Sequence, residues 1–292
     1  MNWKSIAVSM ATMMVLTLSG ALGAAAQGAT PGADAMGYPE LKVTITDQAV
    51  ELSTQEVPAG YVILTVTNSA KQEFGAGVIG PEPGKSIADL QQTAATPTAE
   101  NEFPAFLLHA PILGGTSDVA PGGTLQMIVN VPAGDWAVFS DGPQESAPFK
   151  ATEGTATAEE PRADVTVTEQ EFAFLGLDKP LPAGKQVWKV VNKGKQPHML
   201  VLGKLPDGTT LDQVMQAVSR GENATPAPGE LQESDVNFSV GGVLLQSTDT
   251  TAWPVLDLKA GTYVALCFVP DPDHGGVPHA MEGMVSVFQV GS

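Results

Sequence analysis

Cysteine is almost missing from this sequence, since Cys267 is the only one in 292 residues. An internal disulfide is therefore excluded. Basic residues are also scarce, with 14 Lys and Arg against 32 Asp and Glu and a formal net charge of −18 at pH 7. Such a charge repels phosphate groups, which argues against nucleic acid and anionic membranes as partners and favours a basic protein surface or simple solubility.

The longest apolar stretch lies at the N-terminus. Lys4 supplies a positive charge, residues 6–22 are largely apolar, and alanines at 24–26 precede a cleavage point near Gln27. This pattern is typical of a secretory signal peptide, and the apolar run is short for a membrane anchor. We therefore expect residues 1–26 to be removed on export, which leaves no transmembrane anchor and places the protein in the periplasm or outside the cell.

The predicted export restricts the possible states of the single cysteine. Thiols normally pair in an oxidising compartment, so an unpaired Cys267 is buried, bound to a metal or linked to another molecule. It lies in an apolar run, residues 263–268, that predicts a strand. A Pro- and Gly-rich loop follows, and its histidines and methionines are His274, His279, Met281 and Met284.

A further imidazole is expected upstream of the cysteine. His198 follows an Asn-x-Gly turn at residues 192–194 and opens another apolar run. Two imidazoles, a thiolate and a weak thioether suit copper, because soft sulfur holds Cu(I) and imidazole binds both oxidation states. In chain order these residues include His198, then Cys267, then His279 and Met284, with four residues between the last two.

This order resembles the type 1 copper site of the cupredoxins, the blue copper family of plastocyanin and azurin. The resemblance covers residues 164–292 and includes Glu-Phe-Ala-Phe at 171–174 and Pro-Ala-Gly at 182–184. It implies one copper ion that cycles between Cu(I) and Cu(II), with Met284 as the axial ligand and the other three as strong ligands. It also implies transfer of single electrons to a redox partner protein through an exposed ring of His279.

The loop that ends at His279 departs from the family pattern. Eleven residues separate Cys267 from His279, whereas small blue copper proteins use only a few, so His274 and Met281 remain alternative ligands. We favour His279, because Met284 follows it at the family spacing. If the long loop draws His279 away from Cys267, the alternative is a metal-free binding or structural module of the cell envelope.

An internal duplication sets the expected architecture. The Pro-Ala-Gly turn at 58–60 recurs at 182–184, and a capped helical segment recurs at the same offset of 124 residues. Farther along, Trp136 corresponds to Tyr263 with an offset of 127. Short Val-rich runs between turns predict strands throughout. We predict an all-β protein of two tandem cupredoxin-like Greek-key β-sandwiches, each with a short helical excursion.

The duplication restricts the copper site to the second half. Phe74 stands at the position of His198 and Ser140 at the position of Cys267, and residues 141–150 contain neither His nor Met. The first half is therefore predicted to lack copper. The predicted boundaries are a flexible lead-in at 27–39, a cupredoxin-like domain without copper ligands at 40–150, a linker at 151–163 and the copper domain at 164–292.

The shortage of histidine argues against catalysis. Multicopper oxidases and nitrite reductases, which also repeat this fold, need further histidines, including one beside the cysteine. Phe268 follows Cys267 here, and the chain has four histidines in all. A Gly-x-Ser-x-Gly elbow, as in many serine hydrolases, is also missing. We predict an electron-transfer protein that is not an enzyme and has no catalytic residues.

Overall fold

The computed structural model describes residues 37–95, 103–140, 142, 146–154, 159–220 and 226–291. The predicted signal peptide and most of the predicted lead-in lie outside these residues. In the part that is described, no helix has the length and apolar character needed to cross a membrane.

Strands dominate both halves. Those described in the first half are β1 (Glu40–Ile45), β2 (Val50–Leu52), β3 (Glu56–Pro58), β4 (Gly60–Asn68), β5 (Phe74–Ile79), β6 (Ile112–Val119), β7 (Thr124–Val131), β8 (Gly134–Ser140) and β9 (Ala147–Thr152). Between β5 and β6 lie helix α1 (Ile87–Ala95) and a 3-10 helix (Ala105–Leu108).

The second half repeats this order and adds a small hairpin near its end. Its strands are β10 (Val165–Gln170), β11 (Ala173–Leu175), β12 (Leu181–Pro182), β13 (Gly184–Asn192), β14 (His198–Leu205), β15 (Gly242–Gln246), β16 (Thr251–Leu258), β17 (Gly261–Leu266), β18 (Pro270–Asp271), β19 (Val277–Pro278) and β20 (Val285–Gly291). Helix α2 (Leu211–Arg220) lies between β14 and β15, and 3-10 helices occupy Glu233–Asp235, Pro272–His274 and His279–Glu282.

Two large sheets run through both halves. The strand orders are β11-β10-β13-β16-β7-β4-β1-β2 and β12-β20-β17-β14-β15-β6-β5-β8-β9-β3. The halves join where β16 pairs with β7 and β15 pairs with β6, both antiparallel. Because these central strands pair with one another, neither half leaves an open sheet edge at the junction.

Alternation of side chains places the core between the sheets. In β1, Leu41, Val43 and Ile45 are buried while the residues between them are more exposed. A strand turns successive side chains to opposite faces, so this pattern buries one face of the sheet. Residues from both sheets and both halves form one continuous apolar cluster, which includes Trp188 and Tyr263.

The predicted duplication is confirmed in the order of the strands. Strands β4 and β13 correspond end to end at an offset of 124 residues, as do β7 and β16 at an offset of 127. Phe74 and His198 each open a strand. Ser140 ends β8, and Cys267 directly follows the equivalent strand β17. The predicted fold class is therefore confirmed, whereas the domain boundaries stay a prediction.

A buried asparagine organises the same loop in each half. Asn192 is fully buried, and its Nδ2 donates to the carbonyls of Gln196 (2.9 Å) and Gln246 (3.1 Å). Its Oδ1 accepts from the backbone N–H of Gly194 at 2.9 Å. In the first half Asn68 makes the equivalent three bonds, and the partners are Gln72, Val119 and Ala70. Each asparagine thereby ties the loop to the neighbouring strand.

Replacing Asn68 or Asn192 with alanine should destabilise the protein, because each change leaves buried backbone groups without partners. We expect each variant to lose about 1–3 kcal/mol in the free energy of unfolding, measured by urea denaturation. Lys71→Ala is the control, since its side chain is 90% exposed in the same loop, and it should change stability by no more than about 0.5 kcal/mol. Equal effects of all three changes would contradict this role of the asparagines.

Candidate metal centre

The candidate ligands meet at one end of the ten-stranded sheet. His198 is the first residue of β14, and Cys267 follows β17, which pairs with β14. His279 begins the 3-10 helix that precedes β20, and β20 pairs with the other side of β17. Met284 lies directly before β20. Neighbouring strands therefore bring four distant residues to the same end of the sandwich.

Three donor atoms converge in a buried pocket. His198 Nδ1 lies 3.1 Å from His279 Nδ1, and Cys267 Sγ lies 3.7 Å from the first of these atoms and 3.4 Å from the second. All three side chains are fully buried. The group could hold one metal ion.

Backbone hydrogen bonds bring the ends of the long loop together. The N–H of His279 donates to the carbonyl of Val269 (2.9 Å), and the N–H of Ala280 donates to that of Cys267 (2.7 Å). The residues between form the hairpin of β18 and β19, which turns through Gly275 and Gly276 with φ of 72° and 80°. The extra length is therefore an excursion, and it does not separate His279 from Cys267.

The backbone of Met284 is bonded to two of these residues. Its side chain is fully buried, its N–H donates to the carbonyl of His279 (2.9 Å), and its carbonyl accepts from the N–H of Cys267 (3.3 Å). The two alternatives lie elsewhere, because the side chain of His274 is 61% exposed and Met281 is 43% exposed. The structure thus groups His279 with Cys267 and leaves His274 outside the pocket.

The second nitrogen of each imidazole has a polar side chain beside it, but only that of His279 makes a hydrogen bond. His279 Nε2 donates to Gln196 Oε1 at 2.9 Å, because the amide nitrogen of Gln196 is turned to Asp271 Oδ1 at 3.0 Å. With the proton on Nε2, the lone pair of His279 Nδ1 points into the pocket. His198 Nε2 faces Glu171 Oε1 at 3.5 Å, which is an electrostatic contact rather than a short hydrogen bond.

Glu171 is itself positioned by the loop before β14. Its Oε1 accepts from the backbone N–H groups of Lys195 and Gln196, the latter at 2.9 Å. Burial opposes ionisation, but these hydrogen bonds prevail and lower the pKa of Glu171. Gly194 passes close to this pair, since an added Cβ would lie 2.5 Å from His198 Nε2. A side chain at position 194 would therefore displace the imidazole.

Burial keeps the pocket neutral without a metal. It lowers the pKa of His198 and of His279 to about 4, so both rings are unprotonated at neutral pH. Burial also raises the pKa of the Cys267 thiol. A thiolate here needs a cation beside it, and a bound metal would supply that charge.

The expectation that the ring of His279 is exposed is wrong. Its exposure is 0%, and the half-buried side chain of Gln196 covers its Nε2. Phe172 packs against the same ring with centroids 5.1 Å apart. On this side of the pocket, Gln196 therefore lies between the ring of His279 and the surface.

Sequence reasoning missed the polar residues around the ligands. Glu171 stands in the quoted Glu-Phe-Ala-Phe motif and Gln196 stands two residues before His198, so both positions carried a signal. Acidic residues of a loop usually face solvent, but the exposure of Asp271 is 1%. These residues set the orientation of the imidazoles, which no ligand spacing reveals.

A second buried acid lies in the same half. Glu169, on β10, is fully buried, and neither carboxylate oxygen has a hydrogen-bond partner among the described residues. Burial raises its pKa to about 8, so the side chain is mostly neutral at pH 7. The equivalent residue of the first half, at an offset of 124, is Ile45 in the apolar core.

No protein-family model matches the sequence, and no curated protein matches it. Among solved structures, the chain is similar to reduced auracyanin from Roseiflexus castenholzii, with 17% identity, a TM-score of 0.28, and coverage of 39% of this chain and 96% of that one. It is similar to auracyanin A, a "blue" copper protein of Chloroflexus aurantiacus, with 17% identity, a TM-score of 0.26, and coverage of 39% of this chain and 99% of that one. It is also similar to a multicopper oxidase from Pseudomonas thermotolerans, with 13% identity, a TM-score of 0.27, and coverage of 87% of this chain and 68% of that one.

Glu169→Gln should flatten the pH dependence of stability. The folded-state pKa of about 8 lies above the ordinary value of 4.5, so the stability that this group contributes is complete below pH 4.5 and is lost as the pH rises toward 8. We expect the free energy of unfolding to fall by up to about 1.4 kcal/mol per pH unit in that window, and to fall less in the variant.

Urea unfolding between pH 6.5 and 8 measures this effect as the difference in slope between the variant and the unchanged protein. The buried histidines, which are partly protonated only in the unfolded state near pH 6.5, contribute equally to both slopes. Glu51→Gln, at an exposed position, is the matched control and should keep the original slope. If Glu169→Gln and Glu51→Gln gave the same slope as the unchanged protein, Glu169 would not be the neutral buried acid described above.

Proposed function

We propose that the second half of this chain binds one copper ion and transfers single electrons, in a protein exported to the periplasm or beyond the cell. The observation that carries the proposal is the convergence of His198 Nδ1, Cys267 Sγ and His279 Nδ1 in one buried pocket. The other features of the site support this function by fixing the same three atoms.

The spacing of the donor atoms fits a single ion. Metal bonds are roughly 2.0 Å to imidazole nitrogen and 2.3 Å to thiolate sulfur, so donors that share one ion lie roughly 3–4 Å apart. The three measured separations, 3.1, 3.4 and 3.7 Å, fall in this range. Little rearrangement of these side chains is therefore needed to bind a single metal ion.

The donor set favours copper. Two imidazoles and one thiolate with a weak thioether are typical of mononuclear copper sites that carry electrons. His198, Cys267 and His279 would be the strong ligands, and Met284, buried beside them, the axial one. Bound copper would supply a one-electron couple, Cu(I)/Cu(II), to this pocket.

The surrounding residues suit electron transfer. Gln196, itself bonded to Asp271, holds His279, while Glu171 faces His198, so neither ring can turn freely. Complete burial excludes water from the donor atoms. A rigid and dry ligand set changes little between oxidation states, which is what repeated electron exchange requires. A redox partner would approach on the side of Gln196, the side chain that covers His279.

Electron transfer is favoured here over oxidase or reductase chemistry. In the described ranges, groups of at least three neighbouring potential ligands occur twice, and only one of these contains a cysteine. Phe74 and Ser140 occupy the equivalent positions in the first half, where a further copper ion of this type would lack its imidazole and its thiolate. We infer that the first half braces the second through the shared sheets.

Loading the protein with Cu(II) should produce a strong thiolate-to-copper charge-transfer band in the visible spectrum. Cys267→Ser should abolish this band and weaken copper binding, because the hydroxyl is a poor donor to copper and does not become an anion here. Ser140→Ala, at the equivalent position of the first half, is the control and should leave the spectrum unchanged. A colourless copper-loaded protein, or a blue Cys267→Ser variant, would refute the proposal.

Met284→Leu should keep the copper and raise the reduction potential, since losing a weak donor destabilises Cu(II) more than Cu(I). We expect a rise on the order of 60 mV, equivalent to a tenfold change in relative affinity for the two oxidation states. Met281→Leu is the matched control because Met281 is exposed. Protein-film voltammetry on both variants distinguishes them, and a shift confined to Met281→Leu would reassign the axial ligand.

A further inference from the structure

A second group of metal-binding side chains lies on the loop beside the proposed copper centre. His274 Nδ1 is 2.6 Å from Asp271 Oδ2 and 2.8 Å from Glu282 Oε1. These are hydrogen-bond distances, so a metal ion that replaced the shared proton would move the donor atoms slightly apart. The three residues form a group distinct from that of Cys267, with one imidazole and two carboxylates as donors. Nitrogen and carboxylate oxygen together suit divalent transition-metal ions.

Burial of the two acids makes this group unlike a surface ion pair. The Asp271 side chain is 1% exposed, and its Oδ2 has no described partner outside the group. Glu282 is 18% exposed, and its Oε2 is buried without any hydrogen-bond partner in the described residues. Two carboxylates that lose water in this way need a cation.

The third member opens the group to solvent. His274 is 61% exposed, so an ion could enter from its side and keep water ligands there. Without a metal, a proton on His274 supplies the positive charge, and the neighbouring Asp271 and Glu282 raise the pKa of this imidazole. One proton leaves a net charge of −1 on the three side chains, whereas a divalent ion bound to neutral His274 balances both carboxylates.

We propose that Asp271, His274 and Glu282 form a second metal site, which binds one divalent transition-metal ion of the Zn²⁺ type. The site is linked to the first centre through Asp271, whose Oδ1 accepts from Gln196, the residue that holds His279. The proposal does not depend on copper binding or electron transfer, because none of its ligands belongs to the first group.

Isothermal titration calorimetry with Zn²⁺ tests this site in the full chain. The background is Cys267→Ser, which removes the thiolate of the first centre. We expect one saturable site, and His274→Ala should weaken its affinity by more than about tenfold, since even changes outside a ligand shell cost 10–100-fold. Glu282→Gln should weaken it similarly while keeping the side-chain shape. His109→Ala, an exposed histidine of the first half, should have no effect.

Two further variants separate this site from the first centre. His279→Ala in the same background should leave the Zn²⁺ affinity unchanged, and His274→Ala alone should leave the copper charge-transfer band unchanged. The proposal is overturned if Zn²⁺ shows no saturable binding, if His274→Ala binds as tightly as the background, or if His279→Ala removes the site. Loss of copper colour in the unchanged protein would refute the proposed function and not this site.

Discussion

The candidate metal centre depends on two backbone hydrogen bonds, from the N–H of His279 to the carbonyl of Val269 and from the N–H of Ala280 to the carbonyl of Cys267. They close the loop at its base, so its length goes into the hairpin of β18 and β19. Without them the imidazole would sit at the end of a long loop, and ordering it on metal binding would cost conformational entropy. With them, the imidazole is already ordered in the folded protein, so metal binding does not add this entropy cost.

The strands, the duplication and the group of three side chains could be predicted from the sequence because they depend on local sequence patterns. Alternating apolar residues indicated the strands, the repeated offsets indicated the duplication, and His198, Cys267 and His279 stood out by residue type and order. Their convergence follows from strand pairing, since β14 and β20 flank β17. Chain order and the family resemblance together were therefore enough to predict that these three side chains meet.

The remaining features depend on contacts that no spacing encodes. Gln196 covers His279 across 83 positions in the chain, so the expectation of an exposed ring failed. Acidic loop residues usually face solvent, but Asp271 is an exception because the loop folds back and buries it. Glu169 occupies an inward position of β10, where alternation predicts an apolar residue. These exceptions cluster around the ligands, as expected where function overrides the general pattern.

The two halves show what a buried ligand set costs. In the first half, Phe74 and Ile45 occupy positions that His198 and Glu169 take in the second, and apolar groups there stabilise the fold without help. Imidazoles, a thiol and an unpartnered carboxyl in the same scaffold lose hydration and gain few hydrogen bonds. A metal ion bound to both imidazoles and to the thiolate would offset part of this loss. Metal binding would therefore be coupled to folding of the second half, whereas in the first half the apolar side chains at positions 45 and 74 need no metal to be buried.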